Sequence, residues 1–273
     1  MDSHPTPLRI RRRRLAARVA AAATVAAVTA LAVGVAFAAS DKRDLDLSAV
    51  RHVDATTVSG RIAVTIDPGA SGVTVEHRGN VGYDVAVQGD TLLLRGRNRS
   101  LLCIDCEVSF DVRLPGPAAL QLRTTNGNIS VTGAMARVDA ATTNGDVTAS
   151  GTADAPLDLA STNGRVAVTG ARAELRIRNT NGSVEIADLT LPAGSASRAQ
   201  SVNGSITVRG LASPAALEIT GNVSNGGVTV SLDNAAVTYP GSGHGRSFRA
   251  TTDGEGYASL DLRTVNGSLT VRR

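Results

Sequence analysis

One phrase recurs along the second half of this chain: a small polar residue, Asn-Gly, and then alternating apolar residues. Its first clear copy runs from Thr124 to Val131. From one such Asn to the next the intervals are 18, 19, 18, 22, 22 and 41 residues, the last being about two periods. A fixed period near twenty indicates a repeat architecture, in which each unit buries its apolar side only against its neighbours.

The pattern inside one copy predicts two half-buried strands with a sharp turn between them. Leu120 and Leu122 alternate with polar residues before the first turn, and Ile129 and Val131 alternate after it. Asn-Gly accepts a positive φ at low cost, so the chain can bend there. The predicted structural turns are Asn126 and Gly127, Asn144 and Gly145, Asn163 and Gly164, Asn181 and Gly182, Asn203 and Gly204, Asn225 and Gly226, and Asn266 and Gly267.

Two folds fit this pattern. If Asn-Gly is a two-residue hairpin turn, Thr124 lies opposite Ile129 and Leu122 opposite Val131. If it is a corner of a β-solenoid, each period is one rung of a coil, and like residues lie above like at about 4.8 Å. Successive hairpins have no reason to copy each other's Thr, Asn and length, whereas stacked rungs do. We therefore predict an all-β chain that forms a β-solenoid (β-helix) with Asn-Gly corners.

The amino-terminal region reads as a membrane-targeting segment. Residues 1–14 carry a run of arginines and predict a basic cytoplasmic tail. Residues 15–39 predict a transmembrane anchor or signal helix, since Val19 to Ala39 is uncharged over 21 residues. Ala36-Phe37-Ala38 fits a cleavage site, so a secreted form cut near Ala38 stays open. The predicted location is the cell membrane, crossed once, with the carboxyl-terminal part outside the cytoplasm.

The rest of the chain divides into a linker and the repeats. Residues 40–47 are short and charged, and predict a linker. Residues 48–273 predict the extracytoplasmic β-solenoid, with irregular strands over 48–115 and clear repeats over 116–273. Ser59-Gly60 resembles a degenerate copy of the corner, and a hairpin is predicted around Gly89-Asp90. The last copy, ending at Arg272 and Arg273, predicts a final rung whose edge is protected by charge.

The overall charge says little about partners. The formal net charge is +4, but residues 1–40 hold six arginines against one aspartate, so the remainder is near neutral. Nucleic acid is therefore not an expected partner. Aromatic residues make up 2% of the chain and Trp is absent, which disfavours ligands that need an aromatic platform.

The two cysteines, Cys103 and Cys106, form a C-x-x-C motif. A redox site of this kind needs a βαβ setting, and a zinc site needs further ligands, neither of which the sequence offers. Outside the cytoplasm a small structural disulfide is the ordinary outcome. Free thiols, a metal site and redox chemistry remain as alternatives.

No other group of residues predicts a cofactor or a metal. His244 lies in a glycine-rich loop without a carboxylate or nucleophile at a fixed spacing. Asp253-Gly254-Glu255-Gly256 lacks the alternating oxygen ligands of a calcium loop and is better read as a turn. Carboxylates for sugar hydrolysis would come from Asp139, Asp146 and Asp158, but no Asp or Glu cluster is expected at one rung position.

The sequence also resembles a known family. Phe110-Asp111-Val112-Arg113-Leu114-Pro115, followed by serial Thr-x-Asn-Gly-x-Val-x-Val, is similar to the DUF4097 family, called putative adhesins, and to the auto-transporter adhesin head (GIN) domains. The resemblance covers roughly residues 50–273. It implies a membrane-tethered, extracytoplasmic β-solenoid, often encoded with envelope-stress or small regulatory genes in Gram-positive bacteria. The family has no established catalytic residues, and the cysteine pair departs from its pattern.

Together these features predict a non-enzymatic, adhesin-like interaction module of the bacterial envelope. Its expected partner is another envelope protein, a cell-wall component or a second copy of itself. Two alternatives stay open: an accessory sensor or modulator of an envelope-stress signalling system, and a polysaccharide-active β-helix enzyme.

Overall fold

The computed structural model describes residues 39–99, 105–240 and 246–272. Within these ranges the chain is all-β and contains no helix. Its strands are β1 Ala39–Arg43, β2 His52–Ser59, β3 Ile62–Ile66, β4 Gly72–Arg78, β5 Val81–Gln88, β6 Thr91–Asn98, β7 Glu107–Leu114, β8 Ala119–Asn126, β9 Ile129–Gly133, β10 Val138–Asn144, β11 Val147–Ala153, β12 Leu157–Asn163, β13 Val166–Ala171, β14 Leu175–Asn181, β15 Val184–Ala187, β16 Ala196–Asn203, β17 Ile206–Arg209, β18 Ala216–Asn225, β19 Val228–Ser231, β20 Ala235–Thr238, β21 Arg246–Thr252, β22 Tyr257–Asn266 and β23 Leu269–Arg272.

These strands form two large mixed sheets. The first has the order β1-β4-β7-β3-β9-β11-β13-β15-β17-β23-β19, and the second β20-β21-β18-β22-β16-β14-β12-β10-β8-β2-β6-β5. Each Asn-Gly lies between a strand of the second sheet and the next strand of the first. We call such a strand pair with its corner a rung.

Successive rungs pair in parallel and in register. In the second sheet Val138 lies between Leu120 and Leu157, and Asn144 lies between Asn126 and Asn163. The first sheet repeats this, with Val147 between Ile129 and Val166. The hairpin alternative is wrong, because the two strands that flank each Asn-Gly belong to different sheets. The stacking of like residues that the sequence predicted is present.

The alternation of apolar and polar residues sends one face of each strand inward. Leu122, Val131, Leu159 and Val168 represent the inward positions, and each is at most 2% exposed. Burying one such side chain contributes about 1.5–3 kcal/mol. In each strand the apolar residues face the other sheet and the polar residues face outward. The core therefore lies between the two sheets, and the outer faces are polar.

The order of the rungs departs from the order of the chain at both ends. The rung β22–β23 lies between β16–β17 and β18–β19, and β2–β3 lies between β6–β7 and β8–β9. The prediction that the last copy forms the protected outer edge is therefore wrong. Its strands are paired on both sides, and the hairpin β20–β21 extends the second sheet antiparallel to β18. The sequence hides this because Asn225 and Asn266 carry the same corner.

The region 48–115 is more regular than its sequence suggests. Ser59-Gly60 is a corner of the same kind, since Ser59 pairs with Asn126. The hairpin predicted around Gly89 is confirmed as β5 and β6. Part of the segment predicted as a linker, residues 40–47, instead lies in β1, which pairs antiparallel with β4. Its polar sequence, Ala-Ser-Asp-Lys-Arg, shows no apolar alternation that could have predicted a strand.

The predicted cytoplasmic tail and nearly all of the predicted membrane helix, residues 1–38, lie outside the described residues. In the part of the chain that the structure describes, no helix is long and apolar enough to cross a membrane.

Candidate interaction surfaces

The corner glycines form a column in which only glycine fits. A Cβ on Gly145 would lie 2.1 Å from the carbonyl oxygen of Gly127, and one on Gly164 would lie 2.0 Å from that of Gly145. At Gly204 no strained φ is involved, yet the same distance, to Gly182, is 1.9 Å. The column therefore needs glycine mainly because adjacent rungs approach closely, and a positive φ is a secondary reason.

The corner asparagines form a continuous ladder of side-chain amides. Asn144 donates to Asn126 at 2.7 Å and Asn163 donates to Asn144 at 2.7 Å. The ladder continues in the same sense through the remaining corners and passes over the exchanged rung, where Asn266 donates to Asn203 at 2.7 Å. All the predicted corner residues are thus brought together in one line: Asn126, Asn144, Asn163, Asn181, Asn203, Asn266 and Asn225.

A second polar column is buried directly behind this ladder. Thr142 is 5% exposed and donates to the carbonyl of Gly127 at 2.9 Å, and Ser161 donates to that of Gly145 at 2.8 Å. Each hydroxyl thus fixes the glycine carbonyl of the neighbouring rung. Asn179 occupies the same column and donates to Gly164 at 2.8 Å, but its Oδ1 accepts no hydrogen bond from any residue that the structure describes. The sequence repeat located these residues and did not reveal what they bind.

The outer face of the second sheet carries a groove that the sequence of one repeat does not predict. Strands β10 and β12 present the same outward triplet, Asp139, Ala141 and Thr143 in one and Asp158, Ala160 and Thr162 in the other. The groove, about 500 Å³ in volume, runs over the two alanines beside the threonines. We call it the alanine groove. Its signal was visible only by aligning repeats, as Asp-x-Ala-x-Thr at one register position.

An arginine flanks the two alanines on each side, and the groove continues past Arg123 to Thr56 of β2. Arg123, in β8, donates to Asp139 at 2.7 Å, and Arg178, in β14, donates to Asp158 at 2.8 Å. All four side chains are partly exposed. These four groups follow the order Arg, Asp, Asp, Arg across four adjacent strands. Arg176, beside Asp158 in β14, lies 3.9 Å from Glu174, so each arginine here has a carboxylate and the charges balance.

The carboxylates of the predicted hydrolytic set behave differently from the sequence prediction. Asp139 and Asp158 lie side by side in register, so the expectation that acidic residues share no rung position is wrong. Asp146 does not join them. It lies at the corner, where its carboxylate accepts a hydrogen bond from the backbone N–H of Arg165 at 2.7 Å. Asp139 and Asp158 each bind one arginine, and their outer strand neighbours differ: Gln121 in β8 beside Asp139 and Arg176 in β14 beside Asp158. Hydrolysis of a glycoside needs a carboxyl group that can act as an acid, and both of these groups are already paired with a cation.

The remaining predicted sites yield little chemistry. No described cysteine is a free thiol, and Cys106 is 7% exposed. Cys103 lies outside the described residues, so its pairing with Cys106 stays a prediction, as does any role of His244, which also lies outside them. Over residues 39–99, 105–240 and 246–272, no three His, Cys, Asp or Glu side chains are grouped to hold a metal ion. Asp253 to Gly256 form the connection between β21 and β22.

Stacked rungs, shared polar columns and a patterned outer face define a class: a repeat protein in which long sheets present regularly spaced side chains. Within that class the chain belongs to the Toastrack DUF4097 family, whose model matches residues 115–272. None of the curated proteins matches the sequence.

Several solved structures resemble the chain. One is a "putative cell adhesion protein" from Clostridium sporogenes ATCC 15579, with 8% identity, a TM-score of 0.38, and coverage of 86% of this chain and 99% of that one. A "putative adhesin" from Bacteroides fragilis NCTC 9343 has 10% identity, a TM-score of 0.38, and coverage of 86% and 97%. A "putative adhesin" from Parabacteroides distasonis ATCC 8503 has 9% identity, a TM-score of 0.37, and coverage of 87% and 98%. Similarity at this level does not define a shared function.

Proposed function

We propose that this protein is a membrane-tethered β-solenoid that acts outside the cytoplasm as a non-enzymatic, adhesin-like interaction module. The observation that carries the proposal is the in-register repetition of polar side chains over the outer faces of both sheets. Such an arrangement offers many equivalent weak contacts, which add up when a partner spans several rungs. The expected partner is a cell-wall component, another envelope protein or a second copy of the chain.

Tethering follows from residues 1–39 as a sequence inference. Arginines before an uncharged segment keep the amino terminus inside and carry the repeats across the membrane. A retained helix gives a single-pass membrane protein, and cleavage near Ala38 gives a secreted one. The proposed disulfide of Cys103 and Cys106 fits an oxidising compartment.

Lys42 gives a direct test of location, because it is the only lysine of the chain and its side chain is 72% exposed. Intact cells that express the full chain are treated with a membrane-impermeant amine reagent. We expect labelling at Lys42, with loss of the signal in a Lys42→Arg control. An additional label on a new α-amine near Ala39 identifies the cleaved form. Labelling only after cell lysis contradicts the proposed location.

The interaction itself is tested by attachment. Cells that express the full chain are compared with cells that lack it for binding to one another and to isolated cell-wall material. We expect expression to increase attachment, and removal of the surface domain with protease to reverse the increase. Equal attachment with and without the chain contradicts an adhesin-like role. Co-purification with a membrane signalling protein in that case favours the sensor alternative.

The enzyme alternative has one observation in its favour, the adjacency of Asp139 and Asp158. It predicts release of reducing ends from a polysaccharide and its loss in Asp139→Asn and Asp158→Asn. We expect no turnover, because each of the two carboxylates is already paired with an arginine. Turnover that both substitutions abolish contradicts the proposed function.

A further inference from the structure

We propose that the alanine groove binds a neutral carbohydrate chain. This inference rests on the proposed function and names the ligand of one of its faces. Three properties of the groove favour such a ligand: its floor, its walls and its balance of charge.

The floor suits the C–H face of a sugar ring. Ala141 and Ala160 are paired neighbours in β10 and β12, and both are partly exposed at the outer face. The same outward position is Arg123 in β8 and Arg178 in β14, one strand further on each side. The two methyl groups therefore form a small apolar depression between longer side chains, wide enough for one or two sugar rings in about 500 Å³.

The walls suit hydroxyl groups. On one side Thr143 and Thr162 are exposed and present one hydroxyl per strand, and a hydroxyl both donates and accepts. On the other side of the alanines, next to the groove but not among the residues that line it, lie Asp139 and Asp158. A carboxylate has about four acceptor positions and each arginine contact here uses one or two of them, so acceptor capacity remains.

The balance of charge selects a neutral ligand over a charged one. Arg123 and Arg178 are each held by an aspartate, at 2.7 and 2.8 Å. An anionic polymer would have to displace these carboxylates or lie beside them, and like charges in contact are unfavourable. A neutral polyol meets both donors and acceptors without separating the pairs.

The geometry also predicts weak binding by a single groove. No aromatic side chain is found among the described residues that line it, and aromatic stacking supplies much of the affinity of tight carbohydrate sites. We expect dissociation constants in the millimolar range, about −4 kcal/mol. Many copies on one cell surface would convert such binding into firm attachment.

The test uses the full chain in detergent, passed over columns of immobilised chitohexaose and maltohexaose, with a hyaluronan hexasaccharide column as the anionic comparison and a blank column as reference. We expect the wild type to be retarded on at least one neutral column, and soluble oligosaccharide to abolish the retardation. Absence of retardation on both neutral columns overturns the inference. Preferential retention on hyaluronan also overturns it.

The decisive variants differ only in position. Ala160→Gln fills the groove with a residue that the chain itself uses at this outward position, Gln200 in β16. Ala167→Gln makes the same change on the outer face of the first sheet, in β13. We expect Ala160→Gln to lose the retardation and Ala167→Gln to keep it, with unchanged melting temperatures for both. Equal behaviour of the two variants contradicts a site in the groove.

A variant that is expected to prefer the anionic ligand over the neutral ones gives a further check. The double variant Asp139→Asn, Asp158→Asn leaves the two arginines without their carboxylates. We expect it to lose retention on the neutral columns and to gain retention on hyaluronan that high salt removes. Unchanged neutral binding contradicts the role given to these carboxylates. The column result is independent of Lys42 labelling and of cell attachment, so failure of the groove and failure of the proposed function can be told apart.

Discussion

At the scale of the residue, identical residues of successive rungs stabilise this protein by contacting one another. The corner glycine shows this most clearly, since its Cα lies against the carbonyl of the glycine in the next rung, and the same carbonyl accepts a buried hydroxyl. The sequence predicted which residues form the corners. It could not show that close approach between rungs is the main reason for glycine, because that contact joins residues about a period apart.

Gly145→Ala tests this account. Strain at φ +152° and overlap with Gly127 act together, so we expect a loss of about 2–4 kcal/mol in the free energy of unfolding, measured with denaturant. Gly227→Ala is the matched control, because a Cβ there has no atom within 4 Å. A loss for Gly227→Ala as large as that for Gly145→Ala would contradict the explanation.

A substitution in the buried column should have the opposite sign. Among the described residues Asn179 Oδ1 has no hydrogen-bond partner, whereas Thr142 and Thr264 each use one hydroxyl for the same glycine contact. Threonine is close to asparagine in volume, so Asn179→Thr is expected to raise the free energy of unfolding by about 1 kcal/mol. The measurement is a denaturant titration beside the wild type. Destabilisation would show that Oδ1 has a compensating interaction.

At the scale of the element, the first strand pairs with β4 in its own sheet and also contacts the second sheet through one side-chain hydrogen bond. Tyr83, in β5, donates to Asp41, in β1, and this hydrogen bond is the main reason that the pKa of Asp41 is lowered. Burial, followed by the same bond, raises the pKa of Tyr83. The lowered carboxyl pKa makes the contact favourable above about pH 4 and weaker as the pH falls through the pKa in the folded protein. The raised phenol pKa means that the contact is fully stabilising below about pH 10 and is lost as the pH rises through the pKa of Tyr83 in the folded protein.

Tyr83→Phe tests the attachment of β1. We expect the amides of residues 39–43 to exchange faster with solvent in the variant than in the wild type near neutral pH. As the pH is lowered below about 4, the wild type should approach the variant, because the carboxylate is lost as an acceptor. Amides of β12 serve as the internal reference. A difference that persists unchanged in acid contradicts a role for the Asp41 carboxylate.

The elements also show what sequence reasoning can and cannot reach. Strand positions and corners of the repeats over residues 116–231 and 257–272 followed from the apolar alternation, whereas β20 and β21 did not. Strand β1 did not, since it pairs along one edge with β4 and its residues are polar and not buried. The alanine groove did not either, because its triplets acquire meaning only when β10 and β12 are aligned.

At the scale of the whole molecule, one rung is a unit that can be removed in register. Deleting residues 182–203 joins Asn181 to Gly204 and restores the corner, so we expect a folded protein shorter by about 5 Å. Deleting residues 182–202 removes one residue fewer and turns inward side chains outward, which should unfold the chain. Circular dichroism and small-angle scattering distinguish the two. Similar behaviour of both deletions would show that register is not specified.

The exchange of β18–β19 and β22–β23 has a kinetic consequence for a chain that emerges from its amino end. Residues 216–231 become available before residues 257–272, and both carry the corner that fits beside β16–β17. We expect Val223 to discourage the premature contact, because it is the register equivalent of Thr264, which donates to Gly204 at 2.7 Å, and its side chain has no donor. Val223→Thr should therefore slow refolding and add a second phase in stopped-flow traces, as a competing arrangement becomes populated. Val223 would then leave the position beside β16–β17 free until β22–β23 has been synthesised and can occupy it.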